Sequence, residues 1–152
     1  MDWRAVAIVA HVLGAFWFVA GYVGTNVLTE IARRATTHDA RVAALALSDK
    51  FDRWLYQRGG TAVLLTGALA WWVFGYPLTT PWIVASIALI VGIALVTGLY
   101  WRGYGQRVNE AISAGDAAAT GAILTDPKAV LLSRLENLAV LAIIVLMVLR
   151  PG

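Results

Sequence analysis

Hydrophobic residues along the chain form four long stretches, and the charged residues are clustered between them. No Asp, Glu, Lys or Arg lies between residues 5 and 29 or between residues 59 and 101, and residues 138–149 are again uncharged. The uncharged range between residues 59 and 101 contains two of these stretches, separated by a turn at residues 76–81, where two prolines stop one helix and start the next. A membrane-spanning helix needs about 17 to 25 mostly apolar residues. The pattern therefore predicts an all-α integral membrane four-helix bundle, with spans near residues 4–28, 60–76, 82–101 and 130–149.

The composition supports a membrane protein and excludes several kinds of site. The chain has 152 residues, 60% of them hydrophobic and 14% charged, which departs from a soluble domain and allows one transmembrane domain over residues 1–152. The absence of cysteine excludes disulfides, thiolate zinc sites and cysteine-ligated iron–sulfur clusters. The first span is not expected to be a cleaved signal peptide, because bulky residues at 16–18 occupy the region of a small-residue cleavage site.

The basic residues predict an orientation. Nine of the twelve Lys and Arg residues lie in the connections at 30–58 and 102–129, and the turn at 76–81 has none. Short basic loops stay in the cytoplasm, so we expect both long connections inside and both termini outside a multi-pass inner (cell) membrane protein. The net charge of +3 then reflects topology and contact with the lipid bilayer, and no nucleic-acid partner is expected.

The long connections carry helical patterns of their own. Thr37 or Asp39 is suited to cap a helix over residues 39–57. That helix would either lie on the inner membrane surface or extend the second span, and we favour the extension because no strong breaker precedes Gly59. Residues 105–128 are rich in small side chains and predict a looser helix. The chain thus reads as two helical hairpins.

Glycines recur at helical spacing within the predicted spans. Gly14 and Gly21 lie seven residues apart, Gly60 and Gly67 repeat that spacing, and another pair lies six apart at 92 and 98. Small residues let membrane helices approach closely, so these glycines are expected at helix–helix contacts. The alternative is that they leave room for a flat cofactor.

One polar stripe runs along the first predicted helix. At about 100° per residue, His11, Tyr22 and Asn26 share a face with Ala15, Phe18 and Thr25. Such a stripe should face the protein, because lipid cannot satisfy its hydrogen bonds. His11 would lie roughly 12 Å below the outer surface at 1.5 Å per residue.

Three roles are open to His11: a neutral imidazole that hydrogen-bonds across the bundle, a proton relay, or a metal ligand, above all to the iron of haem b. The other histidine, His38, lies in a connection, so two histidine ligands from one chain are not expected. Met147 is the other soft ligand in a span. A five-coordinate haem, a His–Met pair and a site shared by two chains all remain open.

A second polar cluster begins the fourth span. Arg134 and Asn137 share one face there, and Glu136 lies on the opposite flank. Arg134 would snorkel to the headgroups, form an inner-rim ion pair with Glu30, or bind an anionic group such as a haem propionate. Together with Tyr22 and Asn26, Arg134 is a candidate to orient a cofactor held by His11.

Short motifs carry a family resemblance. The run from His11 to Gly14, followed by aromatic residues and Gly21, resembles the opening of a family of small predicted integral membrane proteins of unknown function. The proline-flanked turn before Trp82 and the ending "LMVLRPG" at residues 146–152 fit it as well. That family is similar to a wider group that includes the copper-resistance protein D membrane domain and the haem-containing membrane protoporphyrinogen oxidases. The resemblance implies a four-helix membrane bundle and a haem-ligand role for His11.

Three function classes remain. The first is a b-type haem protein with an electron-transfer or redox role, and the second is a non-enzymatic accessory or assembly subunit of a membrane complex. The third is a small transporter. The oxidases continue the first helix into an arginine and a second histidine, whereas this chain has "YVGTNVLTEIARRA" there, so porphyrinogen oxidation is not expected. No sequence pattern indicates hydrolytic or transfer chemistry, and expected partners are the bilayer, a second copy, or a membrane redox protein.

Overall fold

The computed structural model describes residues 2–150, and in that range it is built from helices and short connections. The last two residues of the "LMVLRPG" motif lie outside the described residues. The chain is divided into two compact units, Met1–Tyr76 and Pro77–Gly152. Their boundary falls in the predicted proline-flanked turn, so each unit contains one of the two predicted hairpins.

The first unit begins with a long helix, α1 (Trp3–Arg34). The Asp2 side chain caps its start by accepting hydrogen bonds from the backbone of Arg4 and Ala5. At the other end, the Arg41 guanidinium donates to the carbonyl oxygens of Ala32 at 3.4 Å and Ala35 at 3.1 Å. Arg41 thereby adds a donor at the helix end, where intrahelical donors run out, and it ties the following helix to α1.

The second helix of this unit is continuous through a π-helical segment. Helix α2 (His38–Phe51) is capped by Thr37, passes into π1 (Asp52–Tyr56), and continues as α3 (Gln57–Phe74). The prediction that residues 39–57 extend the second helix is therefore confirmed. Helix α3 ends at Gly75, whose φ of 68° gives the left-handed cap that glycine adopts without strain.

The second unit repeats the combination of α-helix and π-helical segment. Pro81 occupies the first turn of α4 (Pro81–Val96), which passes through π2 (Thr97–Trp101) into α5 (Arg102–Ser113). The 105–128 connection is two helices and not the single looser helix expected. The chain turns at Gly115, with φ of 68°, before α6 (Ala117–Leu124) and α7 (Pro127–Leu149), each capped by an aspartate.

Three helical segments of the described chain are long and apolar enough to cross a membrane: Trp3–Arg34, Pro81–Ser113 and Pro127–Leu149. They correspond to the first, third and fourth predicted spans. The second predicted span corresponds to α3, which is not among them. Helix α3 has 18 residues and begins with the polar Gln57 and Arg58, so its hydrophobic stretch is diluted.

The exposed surface is apolar in both units. Large side chains such as Phe16 (70% exposed), Trp72 (73%) and Leu99 (84%) point outward, which in water would leave large apolar patches. The buried positions are mostly small or aromatic residues at helix contacts, among them Ala7, Tyr22, Ala32 and Ala44 in the first unit and Tyr104, Ala111, Leu124 and Ala129 in the second. An outward apolar surface with small residues inside is the arrangement that lipid favours.

Candidate functional site

Helices α1 and α2–π1–α3 touch backbone to backbone at two glycines. A Cβ atom on Gly59 would lie 2.6 Å from the Phe18 backbone nitrogen, and one on Gly21 would overlap the backbone of Leu55 and Tyr56. No side chain fits at either position without moving a helix. The sequence pattern does not indicate Gly59 as a contact residue, because the seven-residue glycine spacing pairs Gly67 with Gly60. In the sequence, Gly59 marks only the end of a helical stretch. A Cβ atom on Gly60 would lie 3.7 Å from the Phe18 ring, an ordinary van der Waals contact.

His11 lies further along the same helix contact. A Cβ atom on Gly67 would lie 3.2 Å from His11 Cε1, so the glycine leaves the space that the imidazole ring fills. The Nδ1 atom of His11 lies 3.4 Å from Thr66 Oγ1. A Cβ atom on Gly14, one turn beyond His11, would lie 3.3 Å from the Val63 backbone and 3.1 Å from the same threonine hydroxyl.

The Thr66 hydroxyl bears on which His11 nitrogen carries the proton. The hydroxyl lies within hydrogen-bond distance of two backbone carbonyl oxygens, that of Ala62 at 2.7 Å and that of Val63 at 3.3 Å. With its hydrogen directed to these carbonyls, the Thr66 oxygen is left to accept, and a hydrogen bond to it from His11 requires the tautomer protonated at Nδ1. A neutral imidazole protonated at Nδ1 has its lone pair on Nε2, the form in which a histidine oriented by a second residue binds a metal.

An aromatic cluster lies between His11 and the inner end of this helix pair. Ring centroids of Phe18 and Tyr56 are 5.3 Å apart, those of Tyr22 and Tyr56 are 5.8 Å apart, and those of Phe18 and Tyr22 are 6.0 Å apart. Tyr22, a candidate cofactor residue, is thus buried in an aromatic contact with π1.

Hydroxyl groups gather one turn below the aromatic cluster. Ser48 on α2 donates to the Thr25 carbonyl oxygen at 3.3 Å, and its hydroxyl lies 3.3 Å from that of Thr29. Asn26, the other candidate on this stripe, donates its amide to the Tyr22 carbonyl oxygen at 2.9 Å. The polar stripe of α1 therefore faces the second helix of its own unit.

Asp52 is the half-buried acid where α2 passes into π1. Burial raises the pKa of its carboxyl group, and nearby Asp49 adds to this, while a hydrogen bond of 2.6 Å from the Gln57 amide and the charge of Arg53 act in the opposite direction. The net direction is upward, so ionising Asp52 costs free energy in the folded protein.

The residues of the predicted inner rim fall in different units. Glu30 accepts hydrogen bonds from Arg34 at 2.7 Å and Arg33 at 3.4 Å within α1. Arg134 is exposed on α7, and the neighbouring Glu136 accepts from the Trp101 indole at 2.8 Å. The ion pair between Glu30 and Arg134 stays a prediction, as does a role for Met147 beside His11.

The described residues contain no group of three or more His, Asp or Glu side chains placed to hold a metal ion. A metal centre of several protein ligands is therefore not found in residues 2–150. A haem needs only one or two axial ligands from the protein, so this result does not decide the role of His11.

The long apolar helices, with their outward hydrophobic surface, define an integral membrane protein. Residues 5–151 match a family described as "Predicted integral membrane protein (DUF2269)", and the chain belongs to this DUF2269 family. The match covers nearly the whole chain and bears out the resemblance to a family of small membrane proteins. Neither a curated protein nor a solved structure matches the sequence significantly.

Proposed function

We propose that the protein is a multi-pass inner-membrane protein with four spans, in which α3 crosses together with the three longer helices. Helix α3 has 18 residues, about 27 Å at 1.5 Å per residue, close to the roughly 30 Å of a hydrocarbon core. Its large apolar side chains Leu64, Leu65 and Trp72 point outward. Four spans forming one bundle, with both termini outside, also keep both basic connections in the cytoplasm.

Within that bundle, we propose that His11 is an axial ligand of haem b and that the protein has an electron-transfer or redox role. The observation that supports the proposal is the contact between His11 Nδ1 and the Thr66 hydroxyl, whose hydrogen is directed to backbone carbonyls; a hydrogen bond from Nδ1 to this oxygen would leave Nε2 as a base. The residues present fit a haem in this respect, and a bound haem would supply one-electron chemistry at its iron. Thr66 would fix the orientation of the imidazole ring, and Gly67 would leave the space that the ring occupies.

Tyr22, Asn26 and Arg134 are the proposed residues for orienting the macrocycle or its propionates. Tyr22 and Asn26 lie about three and four turns from His11 on α1, and Tyr22 is buried against π1, so a macrocycle near His11 would reach them only if the contact between α1 and π1 opened. Arg134 would supply a guanidinium to a propionate, the pairing that is strongest for this side chain.

A non-enzymatic accessory or assembly subunit is the second proposal, and a different feature of the same contact favours it. The His11 ring itself fills the space above Gly67, and its hydrogen bond joins α1 to α3. A histidine in such a place would contribute packing and one interhelical hydrogen bond, worth about 1 kcal/mol or less in a membrane. In that case partners would bind the outward apolar surface.

Absorption spectra distinguish the two proposals. Protein produced with ample haem supply and purified in mild detergent should show a Soret band, which His11→Gln and His11→Ala should remove or shift. His38→Ala changes the other histidine of the chain and should leave the spectrum unaltered. Thr66→Val should keep the haem but shift its band or potential, because the imidazole loses the Thr66 oxygen as an acceptor. A wild-type protein with no porphyrin absorbance would overturn the haem proposal and leave the accessory subunit.

A further inference from the structure

The second unit contains a cleft that neither proposal uses. It lies between the end of α4 with π2 and the first two turns of α7, and its volume is about 270 Å³. This is slightly smaller than the roughly 300 Å³ at which small-molecule sites begin, so it suits part of a longer molecule. Its walls are mostly aliphatic, and they consist of Leu95, Val96, Leu99, Tyr100, Lys128 and Leu132.

Lys128 is the charged group of this cleft. Its ammonium nitrogen lies 5.2 Å from the centre of the Tyr100 ring, a cation–π distance. The nearest acid in sequence, Asp126, has both oxygens engaged: one accepts the Lys128 backbone N–H at 3.0 Å, and the other accepts the Tyr100 hydroxyl at 3.1 Å. Among the described residues, Lys128 forms no ion pair with a carboxylate.

A second cation lies near the same aromatic residues. Tyr100 stacks on Tyr104 with 6.0 Å between ring centroids, and the Arg107 guanidinium lies 6.0 Å from the Tyr104 ring. Lys128 and Arg107 together outweigh the one carboxylate of Asp126, so the charged end of the cleft is net positive, whereas its walls are aliphatic. Leu99 is 84% exposed, so the apolar wall continues into the surface that faces lipid.

We propose that this cleft is a binding site for an anionic phospholipid, with its phosphate at Lys128 and part of an acyl chain along Leu95, Leu99 and Leu132. The charge at one end and the apolar walls complement an anionic amphiphile. A free phosphate would make no favourable contact with the aliphatic walls, and a lipid without net charge would gain no net electrostatic attraction to the ammonium group. The site is in the second unit and does not depend on the role of His11.

Lipid binding by native mass spectrometry tests the proposal. Delipidated protein is given phosphatidylglycerol or phosphatidylcholine with identical acyl chains, and the bound fraction of each is measured. The wild type should prefer phosphatidylglycerol. Lys128→Gln should reduce phosphatidylglycerol binding roughly fivefold, the effect of one basic residue near an anionic lipid surface, and leave phosphatidylcholine binding unchanged. Leu132→Trp should fill the cleft and reduce the binding of both lipids.

Matched control variants distinguish a specific lipid-binding site from a general attraction of anionic lipid to basic residues. Lys50→Gln removes an exposed lysine from α2 in the other unit and should not alter binding, whereas Lys128→Arg should retain the preference. Thermal unfolding of each variant checks that it is folded. Equal binding of the two lipids by the wild type, or equal losses in the two Lys→Gln variants, would overturn the proposal. Displacement of phosphatidylglycerol by millimolar inorganic phosphate would also overturn it, because the site would then recognise phosphate alone.

Discussion

Asp52 provides a prediction at the scale of a single residue. Its carboxyl group is charged at neutral pH in the unfolded chain, where its pKa is about 3.9, but folding raises that pKa through burial. The folded state therefore holds the proton more strongly, and the free energy of unfolding falls as the pH rises through the ordinary pKa towards the raised one. Asp52→Asn removes this loss and keeps an oxygen for Gln57. We expect the variant to unfold at a higher temperature than the wild type at pH 7.

The gain from Asp52→Asn should disappear at a pH below about 3.9, where the wild-type carboxyl group is protonated in both states. Glu110→Gln is the control, because it neutralises an exposed carboxylate on α5 in the other unit and should give no increase in unfolding temperature at pH 7. Thermal unfolding in detergent across the pH range measures both variants. A difference between Asp52→Asn and the wild type that does not change with pH would contradict the prediction.

His11 shows what a sequence can and cannot indicate about one residue. A lone imidazole in an apolar stretch indicates a protein-facing position by the cost of exposing it to lipid. Its partner Thr66 lies 55 residues away and belongs to an ordinary run of small and apolar residues. The pairing depends on where two helices cross, which no local pattern encodes. The tautomer that a hydrogen bond to Thr66 requires depends in turn on the contacts of the Thr66 hydroxyl with the Ala62 and Val63 carbonyl oxygens.

Backbone contact at Gly21 gives a prediction at the scale of helices. Alanine is intrinsically favoured over glycine in a helix by about 1 kcal/mol. At Gly21, however, a Cβ atom would overlap the backbone of Leu55 and Tyr56, and overfilled contacts cost about 1–3 kcal/mol. We expect Gly21→Ala to lower the unfolding temperature, and Gly21→Leu to lower it further.

Gly92 is the matched control, because it also lies inside a helix and a Cβ atom there would meet no other described atom within 4 Å. Gly92→Ala should raise the unfolding temperature or leave it unchanged, so the two alanine variants should differ in sign. If Gly21→Ala were as stable as Gly92→Ala, that result would contradict a close contact between α1 and π1.

Helix ends were more predictable than helix interiors. Capping and turn chemistry act over a few residues, so Thr37 and the turn at 76–81 could be recognised from the sequence. The π-helical segments Asp52–Tyr56 and Thr97–Trp101 had no recognisable signal, because a π turn differs from an α turn by one hydrogen-bond register. The break at residues 114–116 has a signal in Gly115, which small neighbours on both sides obscured.

At the scale of the whole molecule, the division into two units agrees with the two hairpins that the hydrophobic pattern indicates. Three of the four predicted spans satisfy length and composition on their own, and α3 is the exception. Its first residues are polar, and glycines that allow contact with α1 occupy positions where a typical span has larger apolar side chains. The same glycines that make α3 a good packing partner thus weaken its hydrophobic signal. Whether α3 crosses the membrane decides the topology of everything that follows it.

Single cysteines can decide between four spans and three. The chain contains no cysteine, so Thr36→Cys, Thr79→Cys and Ala118→Cys each add one exposed thiol without background. With four spans and the basic connections inside, a membrane-impermeant maleimide applied to intact cells should label position 79, and positions 36 and 118 only after permeabilisation. If α3 does not cross, positions 36 and 79 share one side and position 118 lies on the other. Labelling of position 118 in intact cells, without labelling of position 79, would therefore replace the four-span topology with a three-span one.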